Sequence, residues 1–394
     1  MNNSYNTIID ILKAYIKNEQ YIIDDNVINW EDLIQKSREH QILSLIYYCI
    51  GKNNRISVPA KILERWKHEV VISALSEVKK VKKYKEIING ISNMKVEVIA
   101  LKGIVLKEYY PKMEFRTMSD LDILIHEDDF QKVKDYLLKN DFIYVNDEHP
   151  VHAKFYTKDG IKVEVHWKLI NNENYIADTL NFEEYIWNEL IDFKCDEVKC
   201  KMLNKENFLL HLCIHMAKHL RNSGFGLRQL FDVAVFCEKE KDNIDWYVFK
   251  KKAEECGALK FSKALFILIN KIFDMNISLS AAEECIFLEY DSDILLKEIL
   301  SYNKLDKDRN EIWVKSSKNT SIKTFLRLLF PKIDELKTKY NYAQNNILIP
   351  IAWINRFING LINKTKNIIK SIYRNYKFRK LIRRRKLLLN YFDL

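Results

Sequence analysis

Apolar positions change their period twice along the chain. Up to about residue 93 they recur at three- and four-residue steps, as on a helix with one buried face. In "NWEDLIQKSREHQILSLIYYCI" that face carries Trp30, Leu33, Ile34 and Ser37 and continues to Ile42, Leu45 and Ile46. A second helix, basic on its outer side, is predicted over about 60–89. At "MKVEVIALKG" the pattern shifts to a strand, and "GIVLKEYY" then opens a short helix. "MSDLDILIH" predicts a second strand, followed by the helix "EDDFQKVKDYLLKND", whose acidic first turn suits a helix N-terminus. "FIYVND" predicts a short strand. "AKFYTKDGIKVEVHWKLI" reads as a hairpin turning at Lys158, Asp159 and Gly160. From about residue 176 the helical period returns in "KENFLLHLCIHMAKHL", "LRQLFDVAVFCEKE" and "DWYVFKKKAEECG", and "TFLRLLFPKIDELKTKYNY" is broken at Pro331.

The expected fold class is therefore α+β and predominantly helical, with a small mixed sheet flanked by N- and C-terminal helical regions. Four segments are expected: a helical region over 1–93, an α/β core over 94–172, a helical domain over 173–315 that completes a cleft, and a C-terminal helical segment with a basic tail over 316–394. Only eight glycines and five prolines among 394 residues agree with few turns and long elements.

Charge refines this picture. Residues 361–394 hold eleven Lys or Arg against one acid, Asp393, a surplus of ten that equals the net charge of the whole chain, +10. The first 360 residues are close to neutral, so the basicity belongs to the tail and does not argue for a nucleic-acid-binding body. In the tail Lys and Arg alternate with Ile, Tyr, Phe and Leu. A helix there would have a basic and an apolar side, suited to peripheral contact with an anionic membrane or a partner, or to packing on the protein itself. Seven cysteines without a C-x-x-C pair are expected to be free thiols of a reducing cytoplasm. The N-terminus lacks the order of a secretory signal. "ILIPIAWINRFINGLI" is interrupted by Pro350, Asn355 and Arg356 and falls short of the ~20 apolar residues of a membrane span. A cytoplasmic protein is expected.

The candidate chemistry lies in "RTMSDLDILI". Successive strand residues point to opposite faces, so Asp120 and Asp122 share one face while Leu121, Ile123 and Ile125 fill the other. Two half-buried carboxylates about 6 to 7 Å apart repel each other unless a cation sits between them. In "KVEVHW" Val163 and Val165 face a core while Glu164 and His166 share the opposite face. If this strand lies beside the first, Glu164 joins the aspartates, and three hard oxygen donors suit Mg²⁺ or Mn²⁺. A bare D-x-D on a solvated edge strand is the plainer alternative. Lys102 and Gly103 stand where a strand passes into a helix, a place that favours phosphate. Arg116, four residues before Asp120, is placed either to reach the same anion or to pair at the surface with Glu114 or Asp120.

These stretches, "LKGIVLKEYY", "FRTMSDLDILI" and "HAKFYTKDGIKVEVHWKL", resemble the nucleotidyltransferases of the DNA polymerase β superfamily, and within it a bacterial family of uncharacterised nucleotidyltransferases. The resemblance is specific over about 98–170 and weaker beyond. It implies that Asp120, Asp122 and Glu164 hold metal and carry catalysis, and that an NMP passes from an NTP, with ATP the expected nucleotide, to an acceptor. Lys102, Gly103, Arg116 and His166 are the expected cofactor-binding residues. The superfamily's usual Gly-Ser pair is replaced here by Lys102-Gly103. A near-neutral body suits a small-molecule or peptide acceptor better than nucleic acid. A non-catalytic nucleotide-binding module remains the second reading.

His211, His215 and His219 recur every four residues and line one helical stripe, suited either to a transition metal or to the wall of a cleft. Asp232, on an otherwise apolar helix, needs a partner, and Arg228 one turn earlier is the expected one.

Overall fold

The computed structural model describes residues 3–21, 28–52, 57–145, 149–169, 180–195, 198–277, 289–303, 383–392 and 394. The chain divides into two compact units, one of Met1–Lys307 with Tyr391–Leu394 and one of Asp308–Asn390. In the second unit the described residues, 383–390, are helical. Most of the basic tail, the Pro331 segment and "ILIPIAWINRFINGLI" lie outside the described residues. Among the described residues no helix is long and apolar enough to cross a membrane.

The first unit opens with helices α1 (Asn3–Lys17), α2 (Trp30–Glu39), α3 (Leu43–Gly51) and α4 (Ala60–Asn93). The Asn29 side chain accepts from the Asp32 N–H and caps α2. Trp30, Leu33, Ile34 and Ser37 are its buried face, as the periodicity predicts. The helix does not run on into Ile42, because Gln41 adopts a left-handed backbone (φ 59°) between α2 and α3.

The strands follow: β1 (Ile99–Ala100), β2 (Leu121–Leu124), β3 (Ile143–Val145), β4 (His152–Tyr156) and β5 (Lys162–His166). Short helix α5 (Gly103–Leu106) lies between β1 and β2, and α6 (Phe130–Lys139) between β2 and β3. After α7 (Leu180–Asn188) come β6 (Leu190–Cys195) and β7 (Val198–Leu203). The sheet order is β3-β4-β5-β2-β1-β7-β6, with β2·β5 and β1·β7 parallel and the other pairs antiparallel. Strands β6 and β7 lie where the helical period was expected to resume. The sheet therefore reaches past residue 172 into the segment expected to be helical. The predicted hairpin is β4·β5, with Gly160 at φ 88° in its turn.

Helices α8 (Lys205–Asn222), α9 (Leu227–Glu240), α10 (Trp246–Glu255), α11 (Leu259–Phe273) and α12 (Glu289–Leu300) complete the unit. Asn204 and Asp245 accept backbone N–H groups as N-caps of α8 and α10. Helix α8 packs on β7, α9, α10 and α11, while α4 packs on β7 and α6, and α6 on β3.

Two buried ion pairs hold the segment between α5 and β2. Lys107, with no exposed surface, lies 2.7 Å from Glu77 of α4 and donates to the carbonyls of Met113 and Arg116. Burial lowers its ammonium to about 8 against the opposing pull of Glu77. Arg116 makes a bidentate pair with Asp232 of α9, Nε to Oδ1 and Nη2 to Oδ2, both at 2.8 Å. Tyr110 donates to the same Oδ1 at 2.8 Å. Arg116, not Arg228, is thus the hydrogen-bonded partner of Asp232. Arg228 donates instead to the Thr117 carbonyl at 2.8 Å. Removing one side of a buried pair strands the other charge. Asp232→Ala is expected to cost about 3–5 kcal/mol in urea unfolding, and replacing both Arg116 and Asp232 by apolar residues should recover much of that loss.

Candidate active site

Asp122 and Glu164 are register partners across the parallel pair β2·β5, and His166 stands opposite Leu124 on the same pair. In-register neighbours and residues two apart share a face, so Asp122, Glu164 and His166 converge. One ligand atom from each lies within 4.8 Å of the others, and this is the one such group of three or more His, Cys, Asp or Glu among the described residues. Asp120 comes immediately before β2, and its carboxylate accepts from the Ser119 hydroxyl at 2.8 Å. Strand β2 is central in the sheet and buried along its whole length, so the D-x-D does not lie on a solvated edge. Asp122 is 7% exposed.

The Oδ1 of Asp122 meets two nitrogens. Lys102 Nζ donates to it at 2.9 Å, and His166 Nε2 is 3.1 Å away. His166 Nε2 is also 3.8 Å from Glu164 Oε2. Although burial alone would raise Asp122, Lys102 and His166 hold it well below the usual carboxylate range. Its neighbours take the opposite shift. Burial and then the charges of Asp122 and Asp120 push Glu164 up to about 7, and burial and Asp122 raise Asp120. Burial works against the Lys102 ammonium, but Asp122, Glu164 and Asp120 together raise it. His166 is lowered, first by burial and then by Lys102, against the pull of Asp122.

The structure thus brings Lys102 into the carboxylate group itself. Its backbone, at φ 43° and ψ −106°, is a conformation that costs a non-glycine residue about 1–3 kcal/mol. Gly103 follows at the head of α5, which is only four residues long. A Cβ there would come within 2.3 Å of Met118 Sδ and 3.1 Å of Arg116 Nη1, so this glycine answers to packing. Arg116, expected near phosphate, is turned away: its guanidinium is buried against Asp232 and the Gly103 carbonyl. A chain-local reading placed it four residues from Asp120, but the demand of buried Asp232 decides its direction.

The histidine stripe runs along α8. His211 is 4% exposed with no hydrogen-bond partner for Nε2, and burial followed by Lys102 lowers it well below the ordinary value. His211, His215 and His219 form no metal-holding group among the described residues. The charges of Lys102 and His166 add to the lowering of His211, and the charge of Asp122 opposes it.

Sequence reasoning missed the surrounding cations. Lys154 of β4 is the register partner of Glu164. Lys218 of α8 is lowered by desolvation and by Lys102, opposed by Glu164 and Asp122. Arg228 of α9 acts on Asp120. Their spacing in sequence gives no common signal, because each reaches the site from a different element. His152, opposite His166, has two unpartnered ring nitrogens and is lowered to about 3 by burial and then by His166.

A raised carboxyl binds its proton in the folded state while the unfolded chain has released it. Stability from Glu164 is therefore present below its unfolded value near 4.5 and lost as pH rises through about 7. Without divalent ions, the melting temperature of wild type should fall more steeply between pH 5 and pH 8 than that of Glu164→Gln, as thermal melts in matched buffers would show.

Residues 26–274 match the family described as uncharacterised nucleotidyltransferase. No curated protein matches. Among solved structures, the crystal structure of an antigenic nucleotidyltransferase-like protein from Paracoccidioides brasiliensis is similar at 13% identity, over 50% of this chain and 94% of that chain, with a TM-score of 0.34. That overlap is too loose to carry an argument. The family match takes in more than half of the chain, from ahead of α2 to the end of α11 and with every candidate site residue inside it, and on that match the chain belongs to the uncharacterised nucleotidyltransferase family.

Proposed function

We propose that the protein is a cytoplasmic nucleotidyltransferase dependent on Mg²⁺ or Mn²⁺, which moves an NMP from an NTP, with ATP the favoured donor, to a small-molecule or peptide acceptor. The observation that carries this reading is the convergence of buried Asp122 and half-buried Glu164 on one face of β2·β5, with half-buried Asp120 just ahead of β2. The donor set fits a divalent ion. Two oxygen ligands lie close together, burial and then the charges of Asp122 and Asp120 push Glu164 up to about 7, and Lys102 and Lys154 offset part of that shift. Asp120, Asp122 and Glu164 would hold the ions. Bound there, divalent ions supply charge neutralisation for the triphosphate and activation of the attacking oxygen.

The acceptor oxygen would attack the α-phosphorus, its bond to phosphorus forming as the α–β phosphoanhydride bond breaks and pyrophosphate leaves. The acceptor's proton passes to Glu164 or to water. Lys102 would exchange its pairing with Asp122 for the phosphates, and Lys154, Lys218 and Arg228 supply positive charge around them. Gly103 would present its backbone N–H to phosphate, while Arg116 acts only through position. His166 steadies Asp122, and the His211 stripe walls the site. Such a site works by positioning and electrostatic complementarity.

Two outcomes test this. Asp122→Asn should abolish release of pyrophosphate from NTP in the presence of acceptor while circular dichroism stays unchanged, and full activity in that variant would remove the assignment. Lys102→Met should act in opposite directions on the two ligands. Calorimetry should show tighter binding of the divalent ion alone, because Asp122 loses a competing cation. Thermal protection by Mg²⁺-NTP should weaken by about 1 to 3 kcal/mol, the worth of a charge-assisted hydrogen bond. Weaker binding of the ion alone would show that Lys102 does not compete for its place.

A further inference from the structure

A nitrogen belongs to the group formed by the two register-paired carboxylates. His166 Nε2 is 3.1 Å from Asp122 Oδ1 and 3.8 Å from Glu164 Oε2, and a ligand atom from each of the three residues falls within 4.8 Å of the others. Asp120 is not in that group. The imidazole is 7% exposed, and its other nitrogen, Nδ1, is buried without a hydrogen-bond partner. A neutral ring carries one N–H, so the proton can sit on Nδ1 and leave the Nε2 lone pair towards the carboxylates. Only the contact with Asp122 is given up in that change, and an ion bound to both residues replaces it.

We propose that His166 is a direct ligand of the ion held between Asp122 and Glu164, and that this makes the site favour a first-row transition ion, Mn²⁺, over Mg²⁺. The inference rests on the divalent-ion reading of the site and adds to it the identity of the ion. Mg²⁺ is hard, keeps several waters and favours all-oxygen surroundings. Imidazole is a ligand of the first-row transition ions, and Mn²⁺, the first of that series, keeps the carboxylate preference of Mg²⁺ while taking a nitrogen donor more readily than Mg²⁺ does. The strand geometry leaves His166 little freedom to withdraw. It is the last residue of β5, the Ile125 N–H donates to its carbonyl at 3.0 Å, and the Val151 carbonyl accepts from the next residue, Trp167.

The experiment uses the full chain with Mn²⁺ alone, without nucleotide. Loss of the free Mn²⁺ electron paramagnetic resonance signal gives the affinity, competition with Mg²⁺ gives the preference, and pulsed spectra report ¹⁴N coupling to the bound ion. Wild type should show an imidazole ¹⁴N coupling and favour Mn²⁺ by about 10-fold or more. His166→Gln should lose the coupling and most of the preference, with little change in Mg²⁺ affinity. Absence of the coupling in wild type overturns the proposal, whether or not the variant folds. Its persistence in His166→Gln overturns it too, since another nitrogen, His211 first among them, would then be the ligand. Asp122→Asn separates the two readings. If that variant abolishes Mn²⁺ binding while His166→Gln leaves the ion preference intact, the carboxylate site stands and the role of His166 falls. If Asp122→Asn also binds normally, both fall.

Discussion

Electrostatic repulsion between carboxylates is the constraint around which this molecule is arranged. The parallel pairing of β2 with β5 sets Asp122 directly opposite Glu164 in the centre of a seven-stranded sheet, with Asp120 just outside the strand. A one-residue slip in that register would turn Glu164 to the other face and bring Val163 or Val165 into its place. The slip is resisted because Leu121, Ile123, Val163 and Val165 are fully buried and would have to exchange places with charge. Core packing therefore enforces a juxtaposition that electrostatics opposes. The opposition remains visible in the capture of Lys102 by Asp122, and it adds to burial in the upward shift of Glu164.

Holding such a site needs a rigid surround, and most of it lies outside the sheet. The segment from α5 to β2 contains little regular structure, yet Lys107 fastens it to α4 through Glu77 and Arg116 fastens it to α9 through Asp232. Buried pairs of this kind contribute little net stability, since desolvation offsets their attraction. Their geometry is directional, and they tie the segment between Gly103 and the start of β2 to α4 and α9. Against that frame the site itself is polarised. Acids occupy the floor, and histidines and lysines from β4, β5 and α8 surround it, a distribution suited to an anionic ligand carried with a cation.

The family relationship and the geometry bear on different questions. Membership in an uncharacterised nucleotidyltransferase family brings the general expectation of nucleotidyl transfer. What distinguishes this chain is local: an ammonium lodged against the central aspartate, a glycine governed by packing, and an imidazole within the carboxylate pair.

Much of this was legible along the chain. Period-two alternation marked Asp120 and Asp122 as sharing a face and did the same for Glu164 and His166. The turn chemistry of Asp159-Gly160 marked the hairpin, and three- and four-residue spacing marked the long helices. All of these are short-range signals, fixed by backbone geometry over a few residues. Strands β6 and β7 escaped although "IDFKC" and "VKCKM" both alternate apolar and polar residues, because each run is only five residues long; the pairing of β7 with β1, and of β6 with β7, is decided by the sheet they extend. Arg116 pairs with Asp232 across 116 residues, and Arg228 donates instead to the Thr117 carbonyl. Lys154, Lys218 and Arg228 share no sequence spacing and meet only through the packing of β4, α8 and α9. The sequence by itself determined which groups could do chemistry and which face of its own element each would occupy. Tertiary structure alone decided their partners, because the choice between a buried counter-charge and an open site depends on which distant elements pack together, and no local period encodes that.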